Sequence, residues 1–309
     1  MAATDSCFRQ ADLSIEATDR ADDGVLDAFY AAYDKAFVLA NEKEELDGFR
    51  DCLALNTGGA HQHLRARYGP FRELVMVARD DSGAVVGGAN FIVIQHPSGA
   101  AHAVGHTVNL NYLFVAPSQR GKGRSRTLLG ACHRLADATA AAWRADARVK
   151  SLFFLEINDP FRLTPEQYRL DSEHAGIDQV TRLAYWAGMG ATLLDWPYVQ
   201  PALSAEQEDD RTLAYSVLDA GADRLPAALV LWHLERFFAI SVLKGADLQS
   251  SPSASQQVRA LQQQAGGALR LLDFGAATEA LRAQLGRSNG RPSSLQEAVR
   301  RHGDQPTTH

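Results

Sequence analysis

The stretch from Thr107 to Ala136 limits the fold of this chain more than any other. It begins with an apolar run, Val108 to Val115, broken by Asn109 and Asn111. Ala116-Pro117 follows, then Gln119-Arg120-Gly121-Lys122-Gly123-Arg124-Ser125. Beyond it Leu128, Leu129, Cys132 and Leu135 fall at helical spacing on one face. The pattern predicts strand, glycine-rich turn and amphipathic helix. Such a turn aims consecutive backbone N–H groups at one point, at the positive end of a helix dipole, and so suits a phosphate or pyrophosphate. Arg120, Lys122, Arg124 and Arg126 crowd the turn, while the chain as a whole carries a formal charge of −6. Like charges at a helix start oppose the dipole unless an anion sits there.

Three glycine-loop patterns compete. A dinucleotide turn needs G-x-G-x-x-G, and the third glycine position would here be Arg126, which is too large. A nucleotide P-loop needs four residues between its glycines, whereas Lys122 alone separates Gly121 from Gly123. The third is Val-x-Pro-x-x-Arg-Gly-x-Gly-x-Gly/Ala between a strand and a helix. Val115, Pro117, Arg120, Gly121 and Gly123 match it, and Ser125 stands in the last position. On these residues the chain resembles the GNAT superfamily of acyl-CoA-dependent N-acyltransferases over about residues 10–220.

The resemblance implies an α/β (α+β) fold. A mixed, mostly antiparallel sheet of six to seven strands would carry helices on both faces, with a parallel central pair that splays apart. It implies acetyl-CoA, or another acyl-CoA, as cosubstrate. Arg120, Gly121, Lys122, Gly123, Arg124 and Ser125 would hold the pyrophosphate, mainly by backbone N–H, and Phe114 and Val115 would hydrogen-bond the pantetheine arm. Asn158 matches a position where the family often has an Asn near the cofactor. The splayed strands would be Val108–Val115 and Ser151–Asn158, joined through the helix by a right-handed parallel crossover.

The other elements follow from periodicity and turn signals. Leu13 to Ala17 reads as a short strand, Gly24 to Glu45 as one helix, and Glu45 to Leu55 as a helix stopped by Asn56-Thr57-Gly58-Gly59. Leu74–Ala78 and Ala84–Ile94 read as strands around an Asp80-Asp81-Ser82-Gly83 turn. Asp159 to Asp178 reads as an acidic insertion, Val180 to Ala187 as helix, and Ala191–Val199 and Arg211–Leu218 as the last strands. Pro226 to Lys244 is an amphipathic helix, Ser250–Gly267 loop with a short helix, and Ala268–Leu285 a further helix. The expected organisation is an acyltransferase domain over 1–220, a helical extension over 221–285 that packs on it or on a partner subunit in a homodimer, and a disordered Gly/Ser/Pro/Arg-rich tail over 286–309.

Composition narrows the partners. The charge balance and the lack of a long basic block argue against a nucleic-acid binder. Cys7, Cys52 and Cys132 are odd in number and far apart, which suits a reduced, cytoplasmic setting. Met1 to Arg20 has no apolar core of a signal peptide. Leu225 to Leu243 carries His233, Glu235 and Arg236, so no membrane span is expected. His96, His102 and His106, like His61 and His63, fit no zinc spacing, so no metal is expected.

Acyl transfer to an amine needs a group to take the amine proton. Glu156 shares a strand face with Leu152, Phe154 and Asn158, and a carboxylate among apolar neighbours has a raised pKa. The same residue would serve structure alone if it paired with Arg162 or Arg182. Many family members place an acidic Tyr just before a Gly-Phe. Aligning Gly190 to that glycine puts Trp186 in its place, with Tyr185 beside it as the candidate acid, or a core aromatic. Ala191 replaces the usual Phe. Asn109 and Asn111 would orient the acceptor or mark a bulge. The reading is an N-acyltransferase acting on a small-molecule or peptide amine by direct attack in a ternary complex. The alternative is an acyl-CoA-binding regulatory or interaction protein without turnover.

Overall fold

The computed structural model describes residues 6–39, 42–97, 104–143, 150–287 and 289–303. Its strands are β1 (Ser6–Gln10), β2 (Leu13–Thr18), β3 (Phe71–Arg79), β4 (Val85–Gln95), β5 (Val104–Val115), β6 (Lys150–Asn158), β7 (Ala191–Leu194), β8 (Leu213–Leu218), β9 (Arg224–Pro226) and β10 (Ala268–Leu272). Its helices are α1 (Gly24–Tyr33), α2 (Leu46–Ala54), α3 (Gly58–Tyr68), α4 (Arg124–Ala141), α5 (Pro165–Ala175), α6 (Gln179–Ala187), α7 (Ala227–Phe237), α8 (Pro252–Gln263), α9 (Thr278–Leu285) and α10 (Leu295–Gly303).

The strands form one sheet of ten, in the order β1-β2-β3-β4-β5-β6-β8-β7-β10-β9, where six to seven were expected. Neighbours are antiparallel except β5 and β6, which run parallel. Both faces are covered, so β3 reads as a continuous apolar run rather than an alternation. Its Leu74, Met76 and Ala78 join the core under α4, with Leu128, Cys132 and Leu135. Val75 and Val77 point the other way, to Leu26, Phe29 and Tyr33 of α1. A third core sets Leu152 and Phe154 of β6 against Leu229, Val230 and Phe237 of α7.

One irregularity shapes the centre of the sheet. Asn90 pairs with Tyr112 and Phe91 with Leu110, so Asn111 is the extra residue of a bulge in β5. A bulge bends its strand and sharpens the twist. Pairing between β5 and β6 ends at Leu110 and Leu155, just where the bulge begins. From there Asn111 to Val115 and Glu156 to Asn158 diverge, as the resemblance implies. Amides pin the bulge. Asn111 donates to Asn90 Oδ1 at 2.9 Å, and Asn109 donates to Asn111 Oδ1 at 2.9 Å. Tyr215 donates to Asn109 Oδ1 at 2.5 Å. The fully buried His233 of α7 closes the chain against Thr107 at 2.8 Å, and burial pushes its pKa down to about 3.

Several expectations need correction. The helix from Gly24 ends at Tyr33 rather than Glu45. Tyr33 and Phe37 both pack on Tyr112, so the helical spacing reflects shared burial and not one backbone. Gly58, at φ 73°, starts α3 instead of ending a helical region. The acidic insertion contains α5, opened by a capping box between Thr164 and Gln167. Ala268–Leu272 is a strand whose burial alternates, paired with β7 and β9, so the extension widens the sheet.

The tail expected to be disordered instead contains α10. Leu295 and Ala298 are fully buried, and the Leu295 amide donates to Asp159 Oδ2 at 2.8 Å. A chain ending at Gly286 is expected to lose about 3–5 kcal/mol of stability in urea titration, from the apolar area uncovered and the buried carboxylate left without a donor. Among the described residues no helix is long and apolar enough to cross a membrane.

Candidate functional site

The glycine turn has the conformation its residues imply. Pro117–Gln119 make one 3-10 turn after β5, and Gly121 and Gly123 both adopt left-handed backbone, at φ 74° and 72°. Gly123 is the N-cap of α4 and offers no side-chain cap. Among the described residues, the amides of Gly121, Lys122, Gly123, Arg124 and Ser125 have no hydrogen-bond acceptor within the chain. A Cβ on either glycine would meet nothing within 4 Å. The turn is a nest of donors facing open space, which fits an anion.

The surrounding cations are already engaged. Arg120 donates to the carbonyls of His174, at 3.1 Å, and Ala175, at the C-terminus of α5. Its Nε reaches Val115 O at 3.4 Å, and burial shifts the guanidinium's pKa down. Arg126 donates to Gly188 O at 2.8 Å, at the end of α6. Arg124 pairs with Asp12, and exposed Lys122 donates to Gln119 Oε1 at 3.1 Å. Arg120 and Arg126 thus satisfy carbonyls at helix ends and hold the turn in place, and the backbone amides remain for an anion.

The nest opens into a cleft of about 700 Å³. Phe114, Val115, Arg120, Gly121, Gly123, Arg124 and Ser125 line it, and so does Tyr185 of α6. A narrower chamber of about 130 Å³ lies between the diverging strands, with Asn111, Glu156 and Asn158 in its wall. Phe37, Leu113, Arg182 and Trp186 line both spaces. Tyr185, 41% exposed, faces the cleft and not the chamber, whereas Trp186 faces both.

Glu156 sits on β6 just past the last parallel pair. Neither candidate arginine pairs with it. Arg182 binds Asp171 at 2.9 Å, and Arg162 lies 3.4 Å from Asp159. Its partner is Tyr198, whose hydroxyl donates to Glu156 Oε1. Burial pushes the Glu156 carboxyl up to about 7; the Tyr198 bond opposes that rise and Asp210 adds to it. A Tyr198→Phe variant therefore leaves burial less opposed. Its acidic limb in a pH–rate profile is expected to move up by about one pH unit, since a hydrogen bond to a charged acceptor contributes about 1.5–3 kcal/mol.

Sequence reasoning missed two residues here. Tyr198 follows a Trp-Pro pair in irregular chain, with no periodicity to mark it. Glu42 also lines the chamber, and burial pushes its carboxyl up to about 8. It sits in Asn41-Glu42-Lys43-Glu44-Glu45, a run that reads as solvated surface. Asn158 lowers the Glu42 carboxyl's pKa against that rise, and the next turn is capped by Asp159, which accepts from Phe161 N at 2.9 Å. Of the histidines, His102 lies outside the described residues, His96 packs edge-on against Trp232, and His106 is 3.3 Å from Asp137. Among the described residues no group of His, Cys, Asp or Glu is placed to hold a metal ion.

Comparison with known proteins bears on the same region. No curated protein matches the chain. Solved structures similar to it include one described as an acetyltransferase of the GNAT family from Desulfovibrio desulfuricans, with 14% identity and a TM-score of 0.34, covering 67% of this chain and 98% of that one. Another is Naa50 of Arabidopsis thaliana in complex with a CoA-containing bisubstrate analogue, with 13% identity and a TM-score of 0.35, covering 67% and 98%. A variant of the spermidine N-acetyltransferase of Vibrio cholerae has 13% identity and a TM-score of 0.34, covering 67% and 94%. The model of the acetyltransferase (GNAT) family matches residues 26–152, from α1 through the glycine turn and α4 to the start of β6. With the splayed parallel pair and the nest at the start of α4, residues 26–152 of this chain are a domain of the GNAT acetyltransferase family.

Proposed function

We propose that the protein is an N-acyltransferase that moves an acetyl or other short acyl group from acyl-CoA to an amine. One observation carries this reading. The open nest at Gly121–Ser125 lines a cleft that shares the walls Phe37, Leu113, Arg182 and Trp186 with the chamber that holds Glu156. Bound acyl-CoA supplies an activated acyl carbon. The amides of Gly121 to Ser125 hold its diphosphate. Backbone of Phe114 and Val115 faces the pantetheine arm, since no strand pairs with that side of β5 beyond Leu110. Part of the Val115 carbonyl's capacity is already used by Arg120.

In the transfer step the acceptor nitrogen bonds the acyl carbon as the C–S bond breaks. The nitrogen's proton passes to Glu156, directly or through one water, and CoA leaves as thiolate or thiol. Tyr185, in the cleft, is the candidate donor of a proton to that sulfur. Direct attack needs no protein nucleophile, and none is assigned: Cys132 is buried and far from its reactive form, its thiol pKa raised by burial.

The test is release of free CoA thiol from acetyl-CoA with pooled amines, next to calorimetry of CoA alone. Turnover with one amine, lost in Glu156→Gln, supports the transferase. CoA binding without turnover on any pool overturns it in favour of an acyl-CoA-binding regulator.

A further inference from the structure

The chamber carries one more carboxyl group than one proton transfer uses. Glu42 and Glu156 both line it, the first from the turn before α2, the second from β6. Asn158 shares the chamber wall with them and favours the ionised form of Glu42. The Oε1 atom of Glu42 is buried and has no hydrogen-bond partner among the described residues. Arg182 is the cation among the lining residues, and its guanidinium is bound to Asp171. The polar groups that complete the wall, Asn111, Gln179 and Gln200, bring no positive charge. A buried carboxyl with a free oxygen can ionise there only beside a cation.

Resting on the acyl-transfer reading of this same site, we propose that the acceptor is a short aliphatic diamine. One nitrogen, uncharged, attacks the acyl carbon beside Glu156 as the C–S bond breaks, and the other, an ammonium, is held by Glu42. Size agrees: about 130 Å³ is close to the ~150 Å³ cavity that takes a benzene-sized guest, which has as many heavy atoms as diaminobutane. Phe37, Tyr112 and Trp186 add aromatic surface against which a cation or a methylene chain packs favourably. The two carboxylates then divide the work. One must lose its proton to act as base, and the other needs its charge to bind.

Proton linkage gives an independent sign. Asp171 and Asp210 push the Glu42 carboxyl up along with burial, while Arg182 and Asn158 oppose them. Glu42 is largely protonated near neutral pH, and an arriving ammonium pulls its pKa down. Diamine binding is therefore expected to release protons and to tighten as pH rises from about 6 to about 8.

The test uses the full chain with saturating acetyl-CoA and four acceptors of equal length: 1,4-diaminobutane, butylamine, 4-aminobutan-1-ol and 4-aminobutanoate. Thiol release is expected to favour the diamine over butylamine by about 10- to 100-fold in kcat/KM, the range a charge-assisted hydrogen bond supplies, with 4-aminobutanoate slowest. In Glu42→Gln the diamine-to-butylamine ratio is expected to fall below about threefold, and in Glu42→Asp to a value between. Equal rates for diamine and butylamine in the wild type would overturn the proposal while leaving the transferase reading intact. If no amine is turned over, calorimetry of 1,4-diaminobutane on the CoA complex decides: heat that is lost in Glu42→Gln supports the cation site, and no heat overturns it.

Discussion

Replacing Gly123 with glutamate is expected to weaken CoA binding by on the order of 100-fold or more, measured by calorimetry. Two effects add. Gly123 has φ 72°, where a residue with a Cβ is strained by about 1–2 kcal/mol. The new carboxylate also stands among the free amides, and like charges about 4 Å apart near a protein surface repel by about 4 kcal/mol. Gly123→Ala separates the two. Its methyl group would meet nothing within 4 Å, so strain alone acts and binding is expected to fall by about 10-fold. The control is Gly58→Ala. Gly58 has φ 73° and open space at the start of another helix, so this change is expected to carry the same strain with CoA affinity unchanged. Unchanged affinity in Gly123→Glu would remove the diphosphate from this turn.

Glu156→Gln is expected to lower kcat by about 10²–10⁴-fold while CoA affinity stays within about twofold, because the side chain lines the chamber and not the cleft. The wild-type pH profile gives the matching sign. A base must be ionised, and the Glu156 carboxyl is pushed up to about 7. The rate is therefore expected to be full above about pH 8 and to fall tenfold per unit below about 6, with the midpoint near the folded value. Glu156→Gln should flatten that limb. A profile still centred near 4.5 would mean that the carboxylate taking the proton is an exposed one.

The nest was legible in the sequence because its requirements are local. Two glycines separated by one residue, a proline two residues after the strand's last valine and a helical repeat fix backbone conformation over a dozen residues. The splay was legible in part. Asn109 and Asn111 were open to two readings, and the register assigns Asn111 to the bulge. Its cause was not legible, since the pinning partners Asn90, Tyr215 and His233 lie up to 124 residues away from Asn109. The same holds for Glu42 and Tyr198. Each gains its role from a chamber formed by elements distant in the chain, and their sequence neighbours are a charged run and a proline turn. The tail shows the opposite error. Gly/Ser/Pro-rich composition suggested disorder, yet Leu295, Ala298 and Val299 sit at helical spacing within it and bury one face. Strand β10 was read as helix because Leu269, Leu271 and Leu272 fit either period over five residues.

The most direct test is the structure of the protein with acetyl-CoA bound. The amides of Gly121 to Ser125 are expected within about 2.7–3.2 Å of the diphosphate oxygens, with the thioester entering the gap between β5 and β6 toward Glu156. A coenzyme bound elsewhere, or a nest whose amides stay clear of the diphosphate, would contradict the account.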